Sequence, residues 1–359
     1  MHSIINSVSS EPKSILEIAN ASGTSWESTK KALEFLQSLE VVESTTDQNK
    51  KFFKKHFLPT VGSNNTWFNI PLEKRDDGLI NFIFDITKRI WVEKTGCKIG
   101  KTQMQKVVVN VNRACKLDLP IGRYLYGMIC IKPFNQDEAY SYPIPENNQQ
   151  ITAAIQSAVN EYSELSIPEL KIRHYGETDN FLYLAKEESA SLACADFNKI
   201  NFSKFCNSLS NMLIKIPQDE LESIQLFVEF MSVSNSLLLL DERALLQTKG
   251  EVISSFNELW KAIATKLFFK DLSCKYSKHQ LMNLALERYT QNEIAKDCIS
   301  QLSEYVLDKN NAKCPEYEAL KKLHGSIKEI KTLTEEESHK LAEESAKEPS
   351  KIFREFDLN

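Results

Sequence analysis

Apolar residues at the start of the chain fall at helical spacing in two short runs and then give way to alternation. In SILEIANAS, residues 14–22, Ile15, Ile18 and Ala19 share one helical face, and Gly23 stands where a left-handed C-cap would end the helix. Thr24 or Ser25 then offers a hydroxyl to the free amides of a second helix. Along SWESTKKALEFLQSLEVV, Thr29, Leu33 and Leu36 point inward, flanked by Ala32 and Leu39. Val41–Thr45 and Lys51–Phe57 read as two strands joined by a turn at Asp47–Asn49, with Phe52 or Phe53 anchoring the second strand to the helices.

Phe57–Arg75 gathers Pro, Gly, Ser and Asn between periodic segments and reads as a connection. Leu79–Lys94 is amphipathic, Lys101–Cys115 forms a further helix, and another lies around 150–163. Lys171–Tyr175 and Phe181–Ala185, joined through Gly176–Asn180, read as a hairpin. From about 207 onward the pattern is that of a helical bundle, with inward stripes such as Leu221, Ile224, Val228 and Met231, or Tyr317, Leu320, Leu323, Ile327 and Ile330. The expected fold is mainly α with small β elements. It comprises a winged helix-turn-helix over 1–58, a linker over 59–75, a basic mixed α/β module over 76–186, a helical domain over 187–344 and a tail over 345–359.

Composition places the chain among ordinary globular proteins, with 42% hydrophobic and 26% charged residues. The opening residues show no basic leader before an apolar core, and no stretch is long and apolar enough to span a bilayer, so a cytoplasmic protein without membrane contact is expected. Eight cysteines and six histidines are scattered without C-x-x-C or H-E-x-x-H spacing, so neither a metal nor another cofactor is expected. The net charge of −5 hides an uneven distribution: residues 48–132 hold 16 Lys or Arg against 6 Asp or Glu. A local basic excess of that size can neutralise phosphates and release their counterions.

The outward face of the second helix presents Trp26, Glu27, Lys30 and Lys31, and the following hairpin carries Lys50, Lys51, Lys54 and Lys55. A helix in the major groove with lysines on flanking phosphates would use these residues as its DNA contacts. The segment GTSWESTKKALEFLQSLEVVES resembles the winged helix-turn-helix of MarR-like and ArsR-like regulators in its Gly turn, aliphatic spacing and Val-Val entry to the wing. That resemblance covers about one sixth of the chain and implies a transcriptional regulator whose partner is double-stranded DNA. A homodimer formed through the helical half would suit a palindromic site. Glu40 stands where such domains often carry Gly, and residues 1–58 hold seven basic and seven acidic residues. Both features suit the other use of these modules, which is protein interaction.

Thr102–Ile129 is similar to Panacea-type antitoxin domains through Met104, Gln105 and Lys106, with Met104 in place of the usual Leu, followed by Tyr124, Tyr126 and Gly127. It implies an adaptor that binds and controls a partner protein. Thr95–Thr102, TGCKIGKT, approaches a phosphate-binding loop, and LLLLDE at 237–242 an acidic strand. A phosphate-binding loop follows a buried strand, whereas the residues before Thr95 read as helix, which ranks a P-loop ATPase behind both binding readings. No nucleophile elbow or dinucleotide turn is present in the sequence, and an enzyme is not expected.

Overall fold

The computed structural model describes residues 2–9, 11–38, 41–47, 50–55, 66–178 and 180–311. Glu40, Phe57, the turn at 48–49, the first part of the expected linker, the stripe from Tyr317 to Ile330 and the tail over 345–359 lie outside the described residues. Met1–Ser303 forms one compact unit; the second begins at Glu304, and its described residues are helical.

The protein is mainly helical with a few small antiparallel strands. The chain opens with α1 (His2–Ser7), β1 (Lys13–Ser14), α2 (Ile15–Ser22), α3 (Trp26–Ser38), β2 (Val42–Asp47) and β3 (Lys50–Lys55). After a short 3-10 turn at Trp67–Asn69 come α4 (Lys74–Thr95), α5 (Lys101–Cys115), β4 (Ile121–Tyr124), β5 (Gly127–Cys130) and α6 (Asn148–Tyr162). The rest is α7 (Ile167–Glu177), α8 (Phe181–Cys194), α9 (Lys199–Lys215), α10 (Leu221–Leu237), α11 (Glu242–Gln247), α12 (Lys249–Ser273) and α13 (Met282–Asn311). Among the described residues no helix is long and apolar enough to cross a membrane.

Local chemistry explains the first elements. Ser14 caps α2 and Glu17 answers it, a reciprocal capping box that satisfies two amides. Gly23 ends α2 at φ 69°, a left-handed conformation that costs glycine little. Ser25 then caps α3 through the Ser28 amide. The sheet order is β1-β3-β2, all antiparallel, with Glu43 opposite Lys54 and Ser44 opposite Phe53. Ile18, Leu33, Leu36 and Phe53 form a core that also takes in Ala285 and Leu286 from the start of α13.

A second core joins α4, α5 and α6 through Ile83, Phe84, Val107, Val108, Ile155 and Tyr162. A third, around Ile131, Phe268, Leu272 and Leu284, ties the β5 end to α12 and α13. Two expectations need correction. The expected hairpin is not formed: Lys171–Tyr175 lies within α7, and Phe181–Ala185 starts α8. A Ser166–Glu169 capping box and Pro168 in the first turn start α7, and Leu170, His174 and Tyr175 bury one helical face. In α10 the buried face is Leu226, Phe227, Phe230 and Leu237, while Leu221 and Val228 from the expected inward stripe point to solvent. Phe227 and Phe230 sit on that buried face, where their large rings remove more apolar surface from water than Val228 would.

Candidate nucleic-acid interface and the lysine-anchored hairpin

Helix α3 buries Thr29, Ala32, Leu33 and Leu36, which turns the arc from Trp26 through Lys31 outward. Trp26 is 49% exposed, and Lys30 Nζ lies 5.4 Å from its ring centroid, a cation–π contact that holds the two at the helix entry. Glu27 and Lys31 pair one turn apart at 3.0 Å, both well exposed. With Glu34 included, the charged residues of this outward arc sum to zero.

The β2–β3 hairpin divides its lysines by strand alternation. Lys51, on the side of the buried Phe53, lies over that ring and donates to Gln37 Oε1 at 3.0 Å, fastening the hairpin to the last turn of α3. Gln37 in turn donates to Ser44. Lys54 projects from the other side and pairs with Glu43 across the strands at 3.2 Å. Lys55 is exposed, and its amide donates to the Ser9 carbonyl. Lys50 stands opposite Asp47 in the backbone register, and its side chain lies outside the described ones. The fold therefore brings Lys51 to α3 and leaves Lys54 on the opposite face. The roles of Gln37 and Glu43 escaped sequence reasoning because neither adds positive charge. Only the strand register reveals what each one touches.

A second arrangement centres on α5 and the β4–β5 hairpin. Gln105 accepts from the Cys130 amide at 2.8 Å and donates to the Lys132 carbonyl at 3.0 Å, completing the edge of β5 with both ends of one amide. Lys106, 1% exposed, donates to the carbonyls of Tyr126 at 2.7 Å and Met128 at 3.2 Å. Burial pushes its ammonium down to about 7, and the nearby Lys171 charge adds to the shift. Trp260 Nε1 donates to the Leu125 carbonyl at 3.1 Å, so two side chains from different helices hold the turn. On β4, Asp271 of α12 takes the Arg123 guanidinium at 2.6 and 2.9 Å and the Arg123 amide at 2.8 Å.

Behind Lys106, His174 is buried with neither ring nitrogen hydrogen-bonded among the described residues. Burial first, then the charges of Lys106 and Arg113, push its pKa down to about 2. Thr95–Thr102 joins the end of α4 to the start of α5, with Gly96 as a left-handed cap, and LLLLDE passes from the end of α10 into the Asp241 cap of α11. No family model, curated protein or solved structure matches this chain.

Proposed function

We propose that the protein is a DNA-binding regulator that uses α3 as its reading helix and the β2–β3 hairpin as its wing. The observation that carries this reading is local: two short helices meet at a left-handed Gly23 and lead directly into a lysine-bearing hairpin fastened back to α3. Trp26, Glu27, Lys30 and Lys31 would meet base edges or phosphates, and Lys50, Lys51, Lys54 and Lys55 the backbone beside them. Pairing of two copies through the exposed Leu221 and Val228 of α10, with the half-buried Ile224 between them, belongs to the same proposal, since a two-fold site needs two reading helices.

Fluorescence anisotropy with mixed-sequence duplex DNA at two salt concentrations tests it. Salt-sensitive binding that Lys30→Ala with Lys51→Ala weakens supports the reading, and no duplex binding at low salt removes it.

The second reading is a protein-interaction adaptor of the antitoxin type. It is favoured by the way Glu27 and Glu43 already occupy Lys31 and Lys54, leaving fewer charges for phosphates. It predicts a stable complex with one protein partner and only background affinity for duplex DNA.

A further inference from the structure

Beside the lysine-anchored hairpin lies a half-open groove of about 470 Å³, a size typical of small-molecule sites. One wall is the first turn of α5 with Lys101 and Thr102, the base includes Lys106, and the remaining lining is mostly aromatic, from Trp67, Phe68, Tyr124 and Tyr126. The groove shares no residue with the α3 interface, so this inference goes beyond the DNA reading and fails or stands separately from it.

The aromatic walls are set in advance. Phe68 holds a left-handed backbone at φ 58° and ψ 21°, a conformation that a bulky residue keeps only when its surroundings impose it. Its neighbours impose it: Trp67 donates from its amide to the Ile131 carbonyl at 2.7 Å, and Asn283 donates to the Phe68 carbonyl at 3.1 Å. The Phe68 ring stands edge-on to Tyr124 at 5.8 Å. Trp67 and Tyr126 remain 43% and 54% exposed, so two rings are open to an incoming flat molecule.

Four aromatic rings could also hold a quaternary ammonium, and the charges decide between the two signs. Among the described residues no acidic side chain lines the groove, whereas Lys101 and Lys106 do. Lys101 is exposed, Lys171 places a further ammonium 4.8 Å from the Tyr126 ring centroid, and Lys106 adds its charge below about pH 7, where it is protonated. Lys101 and Thr102 are the first residues of α5, so the positive end of that helix dipole lies at the same wall. A cation would meet like charge there, and an anion would meet complementary charge.

We propose that the groove binds a small organic anion with a flat apolar body, an aromatic carboxylate, with its ring between Trp67, Phe68, Tyr124 and Tyr126 and its carboxylate toward Lys101 and Lys106. Lys106, when protonated, spends two of its three N–H donors on backbone carbonyls.

The test is isothermal titration calorimetry of the full chain with 2-naphthoate and with (2-naphthyl)trimethylammonium, which differ in charge on the same ring system. The naphthoate binds and the cation binds roughly tenfold more weakly or not at all. Tyr126→Ala weakens naphthoate roughly tenfold and Lys101→Ala roughly threefold, both side chains being exposed enough to change without unfolding the chain. Lys204→Ala, exposed on α9, leaves the affinity unchanged. Absence of naphthoate binding, equal binding of the cation, or affinity indifferent to both groove variants overturns the proposal.

Discussion

Gly127 and Lys106 fit one another: a Cβ at position 127 would stand 3.2 Å from Lys106 Nζ and 2.6 Å from the Tyr175 ring. Gly127 also has φ 86°, where an L side chain is strained whatever the space. The lysine can reach the Tyr126 and Met128 carbonyls on either side only because nothing projects between them. Gly127→Ala therefore combines backbone strain with overpacking and costs about 2–4 kcal/mol. The denaturant midpoint falls accordingly, while Gly176→Ala, where an added Cβ meets nothing within 4 Å, leaves it unchanged or slightly raised. Equal midpoints for the two variants would remove the fit between Gly127 and Lys106.

Burial of Lys106 makes stability depend on pH in a direction unusual for a lysine. Its pKa falls from 10.5 to about 7 in the folded chain, among the Tyr175 ring and the Lys171 and His174 side chains of α7. Between those values the unfolded chain holds a proton that the folded chain has released, so stability rises with pH through that window. Below pH 7 both states are protonated and the gain is absent. Buried Cys130 and Cys206, pushed up to about 12, act in the opposite sense. The comparison with Lys106→Met isolates the lysine. From pH 7 to pH 9 the wild-type chain gains about 2 kcal/mol relative to the variant in urea denaturation. Parallel pH profiles for the two chains would contradict it.

His174 works on the acid side. Its pKa drops from 6.5 to about 2, so the unfolded chain takes up a proton below pH 6.5 that the folded chain refuses, and stability is lost as pH falls. Phenylalanine fills similar space without titrating, and it breaks no hydrogen bond seen here, because neither ring nitrogen has a partner among the described residues. Between pH 6.5 and pH 4.5, His174→Phe loses about 2 kcal/mol less than the wild type. Carboxylates held low by their own hydrogen bonds, Glu17 and Glu169, contribute equally to both chains. A wild-type acid transition coinciding with that of the variant would show the histidine to be protonated in the folded state.

How far the sequence reveals these features depends on how local their causes are. Ile15, Ile18 and Ala19, the Gly23 stop and a 3.6-residue period over Thr29, Leu33 and Leu36 are written within about twenty residues, and α2 and α3 form where that pattern places them. Lys101–Cys115 is a helix for the same reason. Residues 171–185 misled because Ile172, Tyr175 and Tyr183 favour strands, whereas the capping box that starts α7 lies five residues earlier. Helix α10 is apolar on more than one face, so its period cannot say which face is buried. The groove was illegible for a different reason. Trp67 and Phe68 meet Lys101 and Tyr126 only through tertiary packing, and nothing in a lysine's spacing tells a buried anchor from a solvated charge.

The register of β2 and β3 leads to a prediction that separates the DNA reading from its competitor. Glu43 faces Lys54 across the hairpin and holds it at 3.2 Å, with both side chains partly exposed. If the hairpin meets phosphates, the carboxylate competes with them for the same ammonium and adds its own repulsion. Glu43→Gln keeps the strand geometry and removes that charge, so affinity for duplex DNA increases by roughly threefold to tenfold at low salt. Lys54→Ala lowers affinity and reduces the salt slope by about 0.9, the value for one phosphate contact. Combined in one chain, the two changes bring affinity close to that of Lys54→Ala alone, because Glu43 acts chiefly through the lysine it holds. A protein-interaction surface would show neither the gain nor the change in slope, and Glu43→Gln would leave anisotropy with duplex DNA where it was.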